Sequence, residues 1–368
     1  MPLASVLHIV GARPQFAKAA AVSRAVANLS QAGRHIVERL LHTGQHYDDE
    51  MSDVFFRELN MREPDWNLEV GSGTPAYQTA AAIQGVFEVL GEWRPDAVIV
   101  YGDTNATLAG AIAAMQRQLP LAHVEAGVRT NNLFHAEEMN RVVADRLSRW
   151  RFCCTLHNRA TLEAEGLDDG SCFSGDTMLD NYRHFLPAMD AGVLEREKLH
   201  TGSFVLCTVH RAENVDHQYR LTDILDAVIQ TQRDILPVVF PVHPRTRKAA
   251  EELGYSSRLV EAGVRLLEPI GFRSTQALLE NCHLVLTDSG GLQREAYFAG
   301  RFSVIPWEYA SWPELVEAGW ASVGGVEKQV LVNRIAGAPG PRRVENNGLF
   351  GDGQAGKRIV ETLMSDSA

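Results

Sequence analysis

Short apolar runs, each broken by turn residues and followed by a helical pattern, recur along almost the whole chain. Ser5–Val10, His35–Leu41, Ala97–Tyr101, Pro120–Val124, Phe152–Thr155, Phe204–Thr208, Val238–Val242, Val264–Leu267, Leu284–Thr287 and Ser303–Ile305 all read this way. Trp66–Val70 is a weaker candidate. Helical patterns follow at Phe16–Leu29, Glu50–Leu59, Ala76–Glu92, Tyr219–Thr231 and Ser274–Glu280, with a last helix ending near Leu363. This alternation predicts an α/β fold of parallel sheets covered by helices, because parallel neighbours need a crossover connection, usually a helix. At 368 residues the chain is too long for a single core, which predicts two domains. Gly166–Pro187, with its Gly and Asp content, is the expected connection between them. No internal repeat stands out.

The stretch Val98–Arg141 concentrates the chemistry. A buried strand runs into Gly102-Asp103-Thr104, a second ends at Glu125-Ala126-Gly127, and Glu137-Glu138 open a helix. In an open parallel sheet the carboxyl ends of neighbouring strands line one crevice, where ligands bind. Carboxylates gathered there repel one another, so raised pKa values suited to proton transfer are expected. The plainer reading makes Asp103 and Glu137 helix caps or first-turn acids placed for the dipole.

Composition narrows the partners. Lys and Arg number 35 against 46 Asp and Glu, a net charge of −11, which disfavours nucleic acid and anionic membranes. No apolar run approaches the length of a membrane span, and the start of the chain reads as a strand rather than a signal peptide. The five cysteines form no C-x-x-C. Buried reduced thiols in a cytoplasm are expected, and neither a disulfide framework nor a zinc site.

Asp288-Ser289-Gly290-Gly291 is the best local signal for phosphate, since it joins a strand to a helix whose N–H groups point at one spot. Any such turn also favours Gly and Ser. Arg13 and Lys18 flank the first turn and are placed to neutralise a diphosphate, or to be solvated surface. His210-Arg211 stands at another strand end, with Glu213 near enough in sequence to favour an imidazolium. His243-Pro244-Arg245 is similar but weaker, and Thr43-Gly44-Gln45-His46 is a polar rim or a plain turn. His123 and Glu125 share the H-x-E spacing of zinc deaminases without the P-C-x-x-C those enzymes need. Ser289 lacks the G-x-S-x-G frame of a hydrolase, and neither dinucleotide nor P-loop glycine patterns occur.

Taken together, GARPQF, TGQHYDDEM, VYGDTNATLAGA, HVEAGVRT, EEMNR, TVHRAEN, PVHPRTR and LTDSGGLQREA resemble the non-hydrolysing UDP-N-acetylglucosamine 2-epimerases, in order from Gly11 to about Gly356. The resemblance implies two Rossmann-like domains facing a central cleft, as in glycosyltransferases of the B type, with the final helix returning to the first domain. The implied domains are 1–172 with 353–368, and 173–352. It also implies a C2 epimerisation in which UDP is eliminated to a glycal and added back. On that basis Asp103, Glu125, Glu137 and His210 are the expected catalytic residues. Arg13, Lys18, Arg211, Ser289, Gly290, Gly291 and Glu295 are the expected substrate contacts, with Glu295 toward the ribose. A homodimer in the cytoplasm, without metal or cofactor, is implied as well.

Three departures bear on the sugar. Ala136 stands where the family has proline before its Glu pair, His210-Arg211-Ala212-Glu213-Asn214 replaces H-R-R-E-N, and Ala310-Ser311 replaces Thr-Glu. The enzymes acting on UDP-2,3-diacetamido-2,3-dideoxyglucuronic acid are similar at the second point and share GARPQF and HPRTR. The competing classes are a glycosyltransferase of the same architecture and a non-catalytic nucleotide-sugar binder. Neither by itself calls for Asp103, Glu125, Glu137 and His210 together.

Overall fold

The computed structural model describes residues 3–31, 33–44, 61–71, 73–130, 132–344 and 348–365. It divides into two compact units, 1–184 with 346–368, and 185–345.

The first unit holds a parallel sheet in the order β3-β2-β1-β4-β5-β6-β7. Its strands are β1 Ser5–Val10, β2 Val37–His42, β3 Trp66–Asn67, β4 Ala97–Tyr101, β5 Leu121–Val124, β6 Trp150–Cys153 and β7 Ser171–Phe173. β4 and β5 are buried at every residue, which is why they read as continuous apolar runs and not as alternating ones. The helix Asn105–Gln116 lies very close to this sheet. A Cβ on Gly110 would come within 2.7 Å of Val100 Cγ1, and Ala106, Ala109 and Ala113 are wholly buried. Small residues are what permit that approach.

The last helix, Ala355–Ser365, packs on the first, Arg13–Gln31. A Cβ on Gly356 would meet Ala21 O at 2.5 Å. Asp180 caps the last helix, accepting from Ala355 N at 3.0 Å and Gly356 N at 2.8 Å. Burial pushes the Asp180 carboxyl up to about 6 despite these two bonds.

The second unit has a sheet ordered β10-β9-β8-β11-β12-β13, also parallel. The strands are β8 Val205–Thr208, β9 Val238–Pro241, β10 Arg265–Leu267, β11 Leu284–Thr287, β12 Phe302–Ile305 and β13 Ala321–Val323. Counted from the first strand of each unit, both sheets follow the same doubly wound order. The strand order therefore reverses between β1 and β4 in one unit and between β8 and β11 in the other, the two places where such sheets bind ligands.

The units part after residue 184, within Gly166–Pro187. Ser174 N donates to Cys153 O at 3.0 Å and Asp176 N to Phe350 O at 3.0 Å, tying this stretch to the first unit. The edge strands β7 and β13 and the helices Pro244–Glu252, Tyr255–Glu261 and Lys328–Ala336 are additions to the expected elements. β3 is shorter than expected. The expected helix 50–59 and the polar turn residues Gln45 and His46 lie outside the described residues.

Candidate active site

In the first unit, the end of β4 turns through Gly102, whose φ of 61° is left-handed. A Cβ there would stand 2.8 Å from Lys18 Nζ, so glycine serves both the turn and the approach of the lysine. Asp103 follows and is paired with Arg141, while Asn140 Nδ2 donates to its backbone carbonyl at 2.9 Å. Ala12, Asp103, Thr104, Asn105, Ala136, Glu137 and Asn140 line one open pocket of about 200 Å³. The β1 and β4 turns and the start of the helix Ala136–Leu147 thus bring Asp103 and Glu137 to one place.

Thr104 is the N-cap of the helix Asn105–Gln116 and makes no side-chain cap bond; nor does His135 before Ala136–Leu147. Neither Asp103 nor Glu137 is the cap of its helix, but Glu137 is, with Glu138, a first-turn acid of Ala136–Leu147, as the plainer reading expected. The members of the glutamate pair have different surroundings. Glu137 is exposed. Glu138 is 2% exposed and accepts from Thr130 N at 2.8 Å and Thr130 Oγ1 at 3.0 Å. Glu138 thus ties the start of its helix to Thr130, and it lies 3.5 Å from Arg141 Nη1.

Glu125 leaves the end of β5 with φ 73°, a left-handed value rare outside glycine. It is buried, and its Oε1 accepts from Lys18 Nζ at 2.8 Å. Lys18 itself is 4% exposed. The repulsion among carboxylates that the sequence led us to expect is thus offset pairwise: Asp103 faces Arg141 and Glu125 faces Lys18. Glu125, Cys154 and Asp176 form a buried group whose ligand atoms lie within 4.8 Å of one another. The Lys18 ammonium already supplies the positive charge at Glu125, and the Asp176 carboxylate accepts from Met178 N at 2.8 Å.

Gln15, within the GARPQF block, joins the two turns. Its Oε1 accepts from Gly11 N at 2.7 Å, and its Nε2 donates to Tyr101 O at 2.7 Å and Thr107 Oγ1 at 3.0 Å. Arg13 opens the first helix, and its side chain lies outside the described residues.

In the second unit, the segment after β8 meets the end of β11 at Asp288. Its buried carboxylate accepts from His210 N at 3.1 Å, Arg211 N at 3.0 Å and Asn214 Nδ2 at 3.0 Å, and lies 3.1 Å from His210 Nδ1. Burial alone would push this carboxyl up. The hydrogen bond and charge of His210, with the Arg211 N–H and the Asn214 amide, outweigh it and hold the group below the usual carboxylate range. The carboxylate that meets His210 is therefore Asp288; the sequence had suggested Glu213.

Arg211 Nε donates to Asp288 O at 2.6 Å and Nη2 to Ser311 Oγ at 3.1 Å, and the guanidinium lies 4.0 Å from the Trp307 ring centroid. Ser289 is the N-cap of the helix Gly290–Phe298, accepting from Leu292 N at 3.3 Å. Gly290 is tightly covered: a Cβ would meet Ser311 at 3.0 Å. Among the described residues, a Cβ on Gly291 would meet Ser289 Oγ alone within 4 Å, at 3.8 Å. Glu295 is buried on the same helix.

Sequence reasoning gave no role to Gln15, Arg141 or Asn214, and none to the Asp288 side chain beyond its place in the phosphate turn. All four lie inside the motif blocks already singled out. The signal was present, but which side chain in a block turns inward is decided by packing.

The site can be set beside known proteins. A family model described as UDP-N-acetylglucosamine 2-epimerase matches residues 29–364. The UDP-2,3-diacetamido-2,3-dideoxy-D-glucuronate 2-epimerase of Pseudomonas aeruginosa is 38% identical over 363 residues, covering 97% of this chain and 99% of that one. The crystal structure of the Methanocaldococcus jannaschii UDP-GlcNAc 2-epimerase in complex with UDP-GlcNAc and UDP matches with a TM-score of 0.89 at 33% identity, covering 98% of this chain and 99% of that one. The Neisseria meningitidis UDP-GlcNAc 2-epimerase bound to UDP-GlcNAc matches with a TM-score of 0.86 at 28% identity, covering 98% and 100%. On the family match and on these full-length relatives, the chain belongs to the UDP-N-acetylglucosamine 2-epimerase family.

Proposed function

We propose that the protein inverts C2 of a UDP-linked N-acetylated sugar by eliminating UDP and adding it back. The observation that carries this reading is the pair of acids, Asp103 and Glu137, around one pocket at a strand-order reversal. A carboxylate takes the C2 proton, the C–H electron pair becomes the C1–C2 double bond, and the C1–O bond breaks with its electrons leaving on UDP. Re-addition of UDP to C1 with protonation of C2 on the other face completes an isomerisation with no net redox change. Groups on both faces of the ring are required. Asp103, Glu125 and Glu137 are assigned to the proton transfers and His210, oriented by Asp288, to the leaving group. Arg13, Lys18, Arg211, Ser289, Gly290, Gly291 and Glu295 are assigned to the nucleotide and diphosphate, Lys18 acting also through its bond to Glu125.

UDP-N-acetylglucosamine is the first substrate to test. The 38% identity to the P. aeruginosa enzyme favours UDP-2,3-diacetamido-2,3-dideoxyglucuronic acid as the second. Incubating each nucleotide sugar in D2O and following deuterium at C2 is the decisive assay. Incorporation together with the C2 epimer supports the reading; transfer to an acceptor, or binding alone, leaves C2 unlabelled.

We further propose a homodimer in the cytoplasm. No helix among the described residues is long and apolar enough to cross a membrane, and the five cysteines are free thiols, as a reducing compartment keeps them. Sedimentation showing monomer alone at micromolar concentration would count against the dimer.

A further inference from the structure

We propose that His123 and Asp145 are positioning residues that lock the loops bearing Asp103 and Glu125 into one fixed relation. The inference rests on the reaction proposed above. His123 lies on β5 and is fully buried. Its Nδ1 is 2.6 Å from Asp145 Oδ1 and its Nε2 is 2.7 Å from Gly102 O, the carbonyl just before Asp103. Asp145, also fully buried, accepts through Oδ2 from Gly127 N at 3.1 Å and lies 2.8 Å from Arg129 Nη1. Arg129 continues to Glu165 at 2.8 and 2.9 Å. One imidazole and one carboxylate thus join the turn after β4, the loop after β5 and the helix Ala136–Leu147.

The backbone shows what is being held. Gly102, Glu125 and Gly127 all have left-handed φ, at 61°, 73° and 79°. For Glu125, which carries a Cβ, that conformation is unfavourable, and it persists only where the surroundings over-determine it. Here Glu125 N and Ala126 N both donate to Phe152 O, at 3.0 and 3.1 Å, and Gly127 N is fixed by Asp145. The cluster is an expensive way to fill a core. Burial would raise the Asp145 carboxyl, yet the His123 charge and hydrogen bond, with Arg129, hold it below the usual range. A buried ionic cluster is often no more stabilising than apolar residues of the same volume. What it supplies is geometry, and a misplacement of about 1 Å at a reacting group can cost about 10²-fold in rate.

The test uses Asp145→Asn and His123→Gln in the full chain, with Glu165→Gln as the control at the far end of the same network. Thermal melting reports stability, amide hydrogen exchange reports the peptide containing Gly127, and C2 deuterium incorporation into UDP-N-acetylglucosamine gives kcat and KM. For Asp145→Asn and His123→Gln we expect faster exchange at Gly127 and kcat lower by about 10–100-fold, with KM within about 2-fold of wild type. Glu165→Gln should lower the melting temperature and leave kcat unchanged. If Asp145→Asn fails to fold, His123→Gln carries the same test. A folded variant with wild-type kcat, measured beside an active wild type, overturns the inference. A wild type that incorporates no deuterium from either nucleotide sugar overturns the proposed reaction, and the inference with it.

Discussion

The Asp288 carboxylate stands 3.1 Å from His210 Nδ1 and also accepts the His210 backbone N–H at 3.1 Å. One buried acid therefore sets both the ring and the backbone of a histidine whose side chain is 42% exposed. The ring is anchored at Nδ1, the arrangement in which a carboxylate orients an imidazole for acid–base work, and the proposed mechanism assigns its other nitrogen to the substrate.

This relation has a pH signature. The folded-state pKa of Asp288 is depressed, so its contribution to stability is present above the unfolded value, about 3.9. It is lost as pH falls from there through the folded value. Asp180 has the opposite sign. Its pKa is raised to about 6, so the folded state holds the extra proton between the unfolded value and about 6, and stability falls as pH rises through that window. Urea titrations from pH 3 to 8 should show Asp180→Asn flattening the region between about 4 and 6. Asp288→Asn should flatten only the region below about 4, at a general cost of about 1.5–3 kcal/mol. Unchanged pH profiles in both variants would contradict the assignments.

Lys18 and Glu125 form a pair in which each side chain is under a tenth exposed. Removing one partner strands a buried charge. Lys18→Met and Glu125→Gln should each cost about 3–5 kcal/mol, whereas the double variant should recover much of that loss. Chemical denaturation of the four proteins measures the coupling. Additive losses would mean that the two groups do not interact as the structure shows.

Neighbouring glutamates should behave oppositely. Glu137 is exposed at the pocket that also holds Asp103. Glu137→Gln should leave stability within about 0.5 kcal/mol and slow C2 exchange by about 10²–10⁴-fold. Glu138 is buried on Thr130. Glu138→Gln should cost about 1.5–3 kcal/mol while turnover per folded molecule stays within a few-fold. The reverse pattern in melting and exchange assays would move the catalytic role from Glu137 to Glu138.

The central strands were legible because burial on both faces leaves an unmistakable apolar run, as in Ala97–Tyr101. β7 and β13 were not, because an edge strand such as Ser171–Phe173 is short and only partly buried. The sheet order was illegible for a related reason: it is fixed by which strands pair, and Val6↔Ala97 or Leu284↔Val205 are contacts between residues far apart in sequence. At the site, the acids Asp103, Glu125 and Glu137 announced themselves by leaving strand ends or opening helices. Their cations did not. Lys18 is expected at the diphosphate, and nothing local in the sequence links it to Glu125, 107 positions away. Arg141 sits in the EEMNR block, but its pairing with Asp103 depends on how two helices begin beside one another.

Substitutions at Gly291 and Gly290 can separate a structural glycine from a functional one. Gly291 is the second residue of the helix Gly290–Phe298 and its φ is not left-handed, so its backbone does not require glycine. Among the described residues a Cβ there would meet Ser289 Oγ alone, at 3.8 Å, an ordinary contact. On stability alone, alanine is the better residue in a helix, by up to about 1 kcal/mol. Gly291→Ala should therefore melt at or above the wild-type temperature. If the bare backbone exists so that a diphosphate can reach the N–H groups of this helix start, the added methyl stands in the ligand's path. UDP affinity should then fall by about tenfold or more, equivalent to about 1.4 kcal/mol. Gly290→Ala is the contrast, since its Cβ would press on Ser311 at 3.0 Å and should lower stability and affinity together. Calorimetric titration with UDP and a thermal melt on both variants decide the matter. A Gly291→Ala protein that is as stable as wild type and binds UDP equally well would remove the phosphate role from Asp288-Ser289-Gly290-Gly291.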